Sequence, residues 1–436
     1  MAAMHETPLT GLVLSGGGAR AAYQVGVLRA LAKMRREVLG PRARMANPFG
    51  VISGTSAGAI NAAALAVHAD RFEAAVEVLA KVWQHFSADQ VYRADSLGVI
   101  RSGAQWLTML SVGWVIARWR RARPRSLLDN EPLAELLQRL VPLERLPFVM
   151  QQRQLHALAV TASSYTSGEH YTFYSMLQPV DAWVRSQRVA VPSEITQKHL
   201  LASAAIPFVF PSQHLDVPGD PGWFGDGSMR NTAPLSPAIH LGAERLLIIG
   251  AGRMQEPSGR QIVQTGYPNL AQIAGHALSS IFLDALAVDV ERMKRINRTL
   301  ALLPESALAD TPLKPIEALV IAPSQRLDDI AARHLSSLPG PVRTLLRGAG
   351  VSGEGETARG TALASYLLFE APYTRELMAL GEVDTMARRD EVMQFFGWDA
   401  RQRALRALRD LPPGEQAALD FVDFDVSRPM PDFELP

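Results

Sequence analysis

Two glycine-rich turns near the N-terminus constrain this chain more than any other feature. Leu12-Val13-Leu14 is a short apolar run ending in Ser15-Gly16-Gly17-Gly18-Ala19-Arg20. Apolar residues then recur at Val25, Leu28, Leu31 and Ala32, the spacing of one helix face across 21–34. The pattern repeats at once. Residues 49–52 read as a second strand, Gly54-Thr55-Ser56-Ala57-Gly58 as its turn, and 58–67 as a second helix. Strand–helix alternation of this kind builds a parallel sheet covered by helices. Further strands are expected at 158–161, 171–174, 246–249 and 318–321. Between them, Leu270, Ile273, Ala274, Ala277, Leu278, Ile281, Ala285 and Val288 mark a long amphipathic helix over 269–296. The expectation is an α/β fold: three α/β/α layers on a mostly parallel sheet.

Past Pro323 the character changes. Glycines at 348, 350, 353, 355 and 360 mark a mobile loop, and 361–380 and 387–396 read as helices. The division expected is one catalytic domain over 8–325, with a helical insertion at about 70–150, and a C-terminal helical extension over 326–436 ending in a disordered tail at 427–436. A length of 436 residues and a 47% hydrophobic content suit one large domain plus an extension. With 44 basic against 43 acidic residues, bulk charge argues against a nucleic-acid partner and against an acidic disordered chain. No cysteine is present, which removes disulfides, thiolate chemistry and Cys-ligated metals. The first residues lack the basic flank and apolar core of a signal peptide. No predominantly apolar stretch of about 18 residues is read, so no transmembrane helix is expected. The expected location is cytoplasmic, with peripheral membrane contact.

Chemistry concentrates in the two turns. A serine on a tight strand-to-helix turn needs small neighbours two residues before and after it, and Gly54 and Gly58 supply them. The N-terminus of the following helix offers unpaired N–H groups to a developing anion. The triglycine turn lets backbone N–H groups converge on one spot without side chains in the way. Both turns open at the same sheet edge, so the triglycine loop is a candidate to donate to an oxyanion formed at Ser56. A rival reading also stands. Gly16, Gly18 and Ala21 fit the G-x-G-x-x-A dinucleotide pattern, although the second strand lacks a terminal acid for a ribose.

Ser56 needs a base. The ten histidines form no cluster. His240 and His276 stand late enough for a Ser–Asp–His order but lack a strand-end context. Asp226, in Phe224-Gly225-Asp226-Gly227-Ser228, lies between glycines and can be approached closely by another loop. Taken alone, it also fits a hairpin turn.

Together these blocks resemble the patatin-like phospholipase family of bacterial type. The order matches: Gly16-Gly17-Gly18-Ala19-Arg20, then Gly54-Thr55-Ser56-Ala57-Gly58, then Ala202-Ser203-Ala204-Ala205-Ile206-Pro207, then Asp226-Gly227. Ser126-Leu127-Leu128-Asp129 before a Pro-led helix fits as well. The resemblance implies a serine lipid acyl hydrolase with a Ser56–Asp226 dyad, an oxyanion hole from the backbone N–H groups of Gly17 and Gly18, and a role for Arg20 near the substrate phosphate or the loop. The implied substrates are acyl esters of phospholipids or lysophospholipids, and no metal or organic cofactor is implied. Acyl transfer from the same acyl-enzyme remains open, as does a non-catalytic nucleotide- or lipid-binding module. Two departures from the family pattern are Ala21, where glycine is usual, and Ser228, where glycine or alanine follows Asp-Gly.

One further segment is unusual. Trp106, Leu107, Leu110, Trp114 and Ala117 share a helical face, followed by Arg118, Arg120, Arg121, Arg123 and Arg125. Tryptophans beside arginines suit a helix lying in a membrane interface. The alternative is a cap over the catalytic cleft with an exposed basic turn.

Overall fold

The computed structural model describes residues 8–40, 47–93, 126–178, 180, 182–254, 267–353 and 358–399. The tryptophan–arginine segment at 104–125, residues 354–357 of the glycine-rich loop and the tail at 427–436 lie outside the described residues.

A ten-stranded sheet organises the chain. Its parallel part runs β10 (Glu317–Ile321), β9 (Arg245–Ile249), β1 (Thr10–Leu14), β2 (Val51–Thr55) and β3 (Ala157–Ser164). β4 (His170–Met176) turns back antiparallel on β3, followed in the sheet by β6 (Arg188–Pro192) and β5 (Trp183–Arg185). β8 (Gly222–Asp226) pairs antiparallel with the end of β3 and carries β7 (Gln213–Leu215). The sequence reading found the parallel strands and β4 but none of β5 to β8.

Period-two alternation explains the layering. Leu12, Leu14, Leu247, Ile249, Leu319 and Ile321 enter one core, while Val13, Leu246 and Ile248 enter a second on the opposite face. The first face is covered by α1 (Ala22–Leu39), α2 (Ala57–Ala66) and α3 (Phe72–Gln84), with α4 (Glu131–Leu140) and α5 (Gln197–Ser203) beside them. The other face takes Leu286, Val290 and Met293 of the long helix α6 (Leu270–Leu300). Five residues of α6, Ser280–Asp284, form a π turn.

The sequence reading missed the apolar character of α6. An 18-residue window within it reaches a mean hydropathy of 1.5, enough by length and composition alone to cross a bilayer. Its Leu278, Phe282, Leu286, Val290 and Met293 are buried against the two cores. Its scattered glutamine, histidine and serine residues leave its mean hydropathy high.

The C-terminal region packs into the first core through α7 (Leu327–Arg333), α8 (Thr361–Leu367), α9 (Ala371–Ala387) and α10 (Arg389–Phe395). The helix expected over 361–380 is two helices. Pro372 lies in the first turn of α9, where its missing N–H costs nothing, so a new helix starts there. α9 crosses α1 with backbones touching. A Cβ at Gly26 would lie 2.0 Å from the Met378 carbonyl oxygen, and one at Gly381 would lie 2.3 Å from that of Tyr23. The Tyr23 hydroxyl donates to Asp384 at 2.9 Å across the same crossing. The described parts of the glycine-rich loop are tied down. Asn269 Nδ2 donates to Gly350 O at 2.8 Å, and Ser352 and Arg359 exchange backbone hydrogen bonds.

Candidate active site

Ser56 sits directly between β2 and α2 with φ 55° and ψ −131°, a left-handed conformation that is costly for a residue with a side chain. Its glycine neighbours hold it there. A Cβ on Gly54 would meet Gly58 O at 2.4 Å, and a Cβ on Gly58 would meet Leu14 O at 2.4 Å. The turn is thus clamped between its own helix and the end of β1, which forces the serine side chain out at the sheet edge.

Asp226 ends β8 opposite Ala162 of β3, so it closes a strand rather than occupying a hairpin turn. Ser56 Oγ donates to Asp226 Oδ2 at 2.7 Å, and the Ser228 N–H donates to Oδ1 at 2.8 Å. The carboxyl is fully buried. That desolvation raises its pKa to about 6, against the opposing effect of the Ser56 hydroxyl and of Ser228.

One segment supports both groups. Ser203 Oγ accepts from the Ser56 N–H at 2.9 Å, Ala205 O accepts from Asp226 N at 3.1 Å, and Ser203 O accepts from Gly227 N at 3.1 Å. Thr55 and Thr161 hydroxyls, 2.8 Å apart, tie β2 to β3 below them. The block from Ala202 to Pro207 was legible as a pattern, but no role for Ser203 was read from it.

The triglycine loop lies alongside. Gly18 has φ +54°, and a Cβ there would lie 2.3 Å from Tyr366 O, so glycine is required on both counts. Neither the Gly17 nor the Gly18 N–H makes a loop backbone bond among the described residues, and Gly18 and Ser56 both border the main cleft. Gln24 Nε2 holds Ser15 O at 2.7 Å. Gln24 also accepts from Asn61, whose own oxygen accepts from the Trp83 indole at 3.0 Å. This buried chain ties the loop to the cleft wall.

Arg20, expected near the substrate phosphate or the loop, follows the triglycine loop directly and turns its side chain away from the cleft. Its side chain is buried, pairs with Asp328, donates to Ser365 Oγ at 2.8 Å, and lies 3.9 Å over the Tyr366 ring. Its partners come from α7 and α8, and it does not border the cleft. His240 stacks on Trp183 at 5.0 Å and bonds to Ser236 O, while His276 is exposed. Among the described residues no cluster of three or more His, Cys, Asp or Glu side chains is placed to hold a metal.

The cleft opening at Ser56 has a volume of about 850 Å³ counting its mouth. Ile60 and Ala64 of α2 floor it, Leu79, Val82 and Trp83 of α3 and Leu133, Leu136 and Leu137 of α4 wall it, and His68 lies in its lining beyond α2. Its surface is almost wholly apolar. The sequence reading named none of these residues as a site. The recurrence of Ile60, Ala64 and His68 at intervals of four was the available signal.

An α/β sheet presenting a serine on a strand-to-helix turn, beside a glycine loop and a buried carboxylate, defines a narrow structural class. The sequence matches the patatin-like phospholipase family over residues 12–239, more than half of its length, and the chain belongs to that family. No curated protein matches it. Solved structures overlay loosely. Human GIVD cytosolic phospholipase A2, bound to methyl gamma-linolenyl fluorophosphonate and terbium, is 14% identical with a TM-score of 0.40, covering 91% of this chain and 60% of its own. VipD from Legionella pneumophila is 12% identical with a TM-score of 0.27, covering 92% and 76%. ExoU of the Pseudomonas aeruginosa type III secretion system, in complex with SpcU, is 16% identical with a TM-score of 0.25, covering 87% and 73%. This chain therefore spans 60% of the human enzyme's chain, under two thirds of it.

Proposed function

We propose that this protein hydrolyses acyl esters of phospholipids or lysophospholipids, with Ser56 as nucleophile and Asp226 as general base. The observation carrying the reading is the 2.7 Å Ser56–Asp226 hydrogen bond at the mouth of an apolar cleft. Asp226 Oδ2 takes the Ser56 proton as Oγ attacks the acyl carbon. The carbonyl oxygen, now an anion, is met by the Gly17 and Gly18 N–H groups. Asp226 returns the proton to the leaving alcohol or lysolipid, and water then releases the fatty acid.

The cleft supports a long acyl chain. Ser56 at the head of α2, Ile60 and Ala64 within it and His68 just beyond its end follow one another at four-residue steps, a span of about 18 Å at 1.5 Å per residue. An extended alkyl chain of about 14 carbons covers that length at about 1.3 Å per carbon. Burying such a chain against leucine, valine and tryptophan supplies binding without charge. A substrate held in aggregates also requires surface contact, and 104–125, with its tryptophans and arginines, is the segment assigned to it.

A panel of phospholipids, lysophospholipids and neutral esters, with products identified by mass spectrometry, tests the reading. Free fatty acid should appear from long-chain phospholipid or lysophospholipid esters. Release of phosphate or head group without fatty acid contradicts it.

A further inference from the structure

A second, smaller recess lies beside the dyad on the side away from the acyl cleft. It is lined by Ser15, Gly16, Thr55, Ser228 and Asn231, and is closed on its outer side by the apolar face of α6 at Phe282 and Ala285. The recess is large enough to admit an ordered water. Ser228 and Asn231 are each 6% exposed; among the described residues Asn231 Oδ1 has no hydrogen-bond partner, and Ser228 Oγ, which also faces the Asp226 carboxyl, has none in good geometry. Buried polar atoms of this kind are ordinarily satisfied, and a water needs two or more such partners. Asn231 Nδ2 reaches Thr55 Oγ1 at 3.4 Å, which orients the amide, and the Ser228 N–H is held by Asp226.

Resting on the ester-hydrolase reading, we propose that this recess is the binding site of the water that deacylates Ser56, with Ser228 and Asn231 as its positioning residues. Gly16 provides the passage. A Cβ there would lie 2.3 Å from Ser228 Oγ and 3.1 Å from Ser56 Cβ, so only the missing side chain leaves space between them. The division of labour follows from polarity. Once the apolar cleft holds the acyl chain, it offers a water almost no hydrogen-bond partners, whereas the recess offers two next to the base. Ser228 is also one of the two places where this chain departs from the family pattern it resembles.

In the step, the water oxygen bonds to the acyl carbon while Asp226 Oδ2 takes one water proton. The carbonyl electron pair moves onto the oxygen beside Gly17 and Gly18. On collapse, the bond from the acyl carbon to Ser56 Oγ breaks, Ser56 recovers the proton from Asp226, and the fatty acid departs.

A single turnover with the p-nitrophenyl ester of a long-chain fatty acid separates the two half-reactions. Nitrophenol release reports acylation, and the mass of the quenched Ser56 peptide reports acyl-enzyme decay. Ser228→Ala keeps the backbone N–H to Asp226, removes one oxygen and introduces no clash. Because the hydroxyl also faces the Asp226 carboxyl, the substitution should slow both steps, but decay by about tenfold more than acylation, the loss of one ordinary hydrogen bond to the water. Asn231→Leu fills the recess and should slow decay further. Added hydroxylamine, a stronger nucleophile, should restore turnover in both variants. Decay at the wild-type rate in Ser228→Ala, or acylation and decay falling by the same factor in both variants, overturns the water site while leaving the dyad intact. If wild type never shows an acyl mass on Ser56, the ester-hydrolase reading falls and this one with it.

Discussion

Asp226 is fully buried and accepts hydrogen bonds from the Ser56 hydroxyl and the Ser228 N–H, and the desolvation cost wins, lifting its pKa to about 6. A base must be deprotonated, so kcat/KM on a soluble short-chain ester should fall about tenfold per pH unit below about 6 and level off above it. The linkage has a matching sign. The folded pKa lies above the reference value of 3.8, so folding takes up a proton between about pH 4 and 6, and stability falls as pH rises through that window. Asp226→Asn should abolish this slope, leaving the variant about 3 kcal/mol more stable at pH 7 and little more stable at pH 4. A wild-type activity profile that stays flat down to pH 4 would contradict the assignment. At this scale the two glycine-rich turns at strand ends were legible from local chemistry, whereas Asp226 stood out from a hairpin turn only through the order of the family blocks. Arg20 was not legible. Its partners Asp328 and Ser365 lie more than 300 residues away, and no local pattern separates a guanidinium aimed at substrate from one aimed at a distant carboxylate. Ser203 escaped for the same reason, since its role exists only once α5 lies under the elbow.

α2 does two jobs. Its N-terminus carries the nucleophile, and its length floors the cleft through Ile60 and Ala64. Chain-length preference should therefore be set along this helix. Ala64→Trp places a large ring about two turns from Ser56 and should leave hydrolysis of a butyryl or hexanoyl ester within about threefold. Hydrolysis of a 14- or 16-carbon ester should drop roughly a hundredfold. Equal losses on short and long esters would show that the chain runs elsewhere. Element by element, the parallel strands were legible because buried apolar runs alternate with helical periodicity. The strands β5 and β7, three residues each, carry no alternation long enough to read. Asp226 was accordingly open to a hairpin reading until β8 was seen to pair with β3.

Over the whole molecule, the C-terminal helices and the sheet share one apolar core. α9 lies on α1 through Gly26 and Gly381, and α8 covers the triglycine loop through the Tyr366 carbonyl. The Arg20–Asp328 pair joins these parts across the fold. Asp328→Ala leaves the buried Arg20 cation without its carboxylate and should cost about 3 kcal/mol of stability, measured by denaturant unfolding. A chain ending at residue 325 should lose cooperative unfolding altogether. If that truncated chain unfolds cooperatively and keeps esterase activity, the extension is an independent appendage. Sequence showed a change of character beyond Pro323, but composition does not reveal which face a helix covers. The intimacy of the crossing rests on two glycines separated by 355 positions in the chain, numbers 26 and 381.

The central claim is that Ser56 is a nucleophile activated by Asp226. It is tested most directly by exposing the protein to a long-chain alkyl fluorophosphonate and locating the adduct by peptide mass. The account predicts stoichiometric labelling on Ser56 alone, none in Ser56→Ala, and labelling slowed by about a hundredfold or more in folded Asp226→Asn. Labelling of another residue, or a wild-type rate in Asp226→Asn, would contradict it.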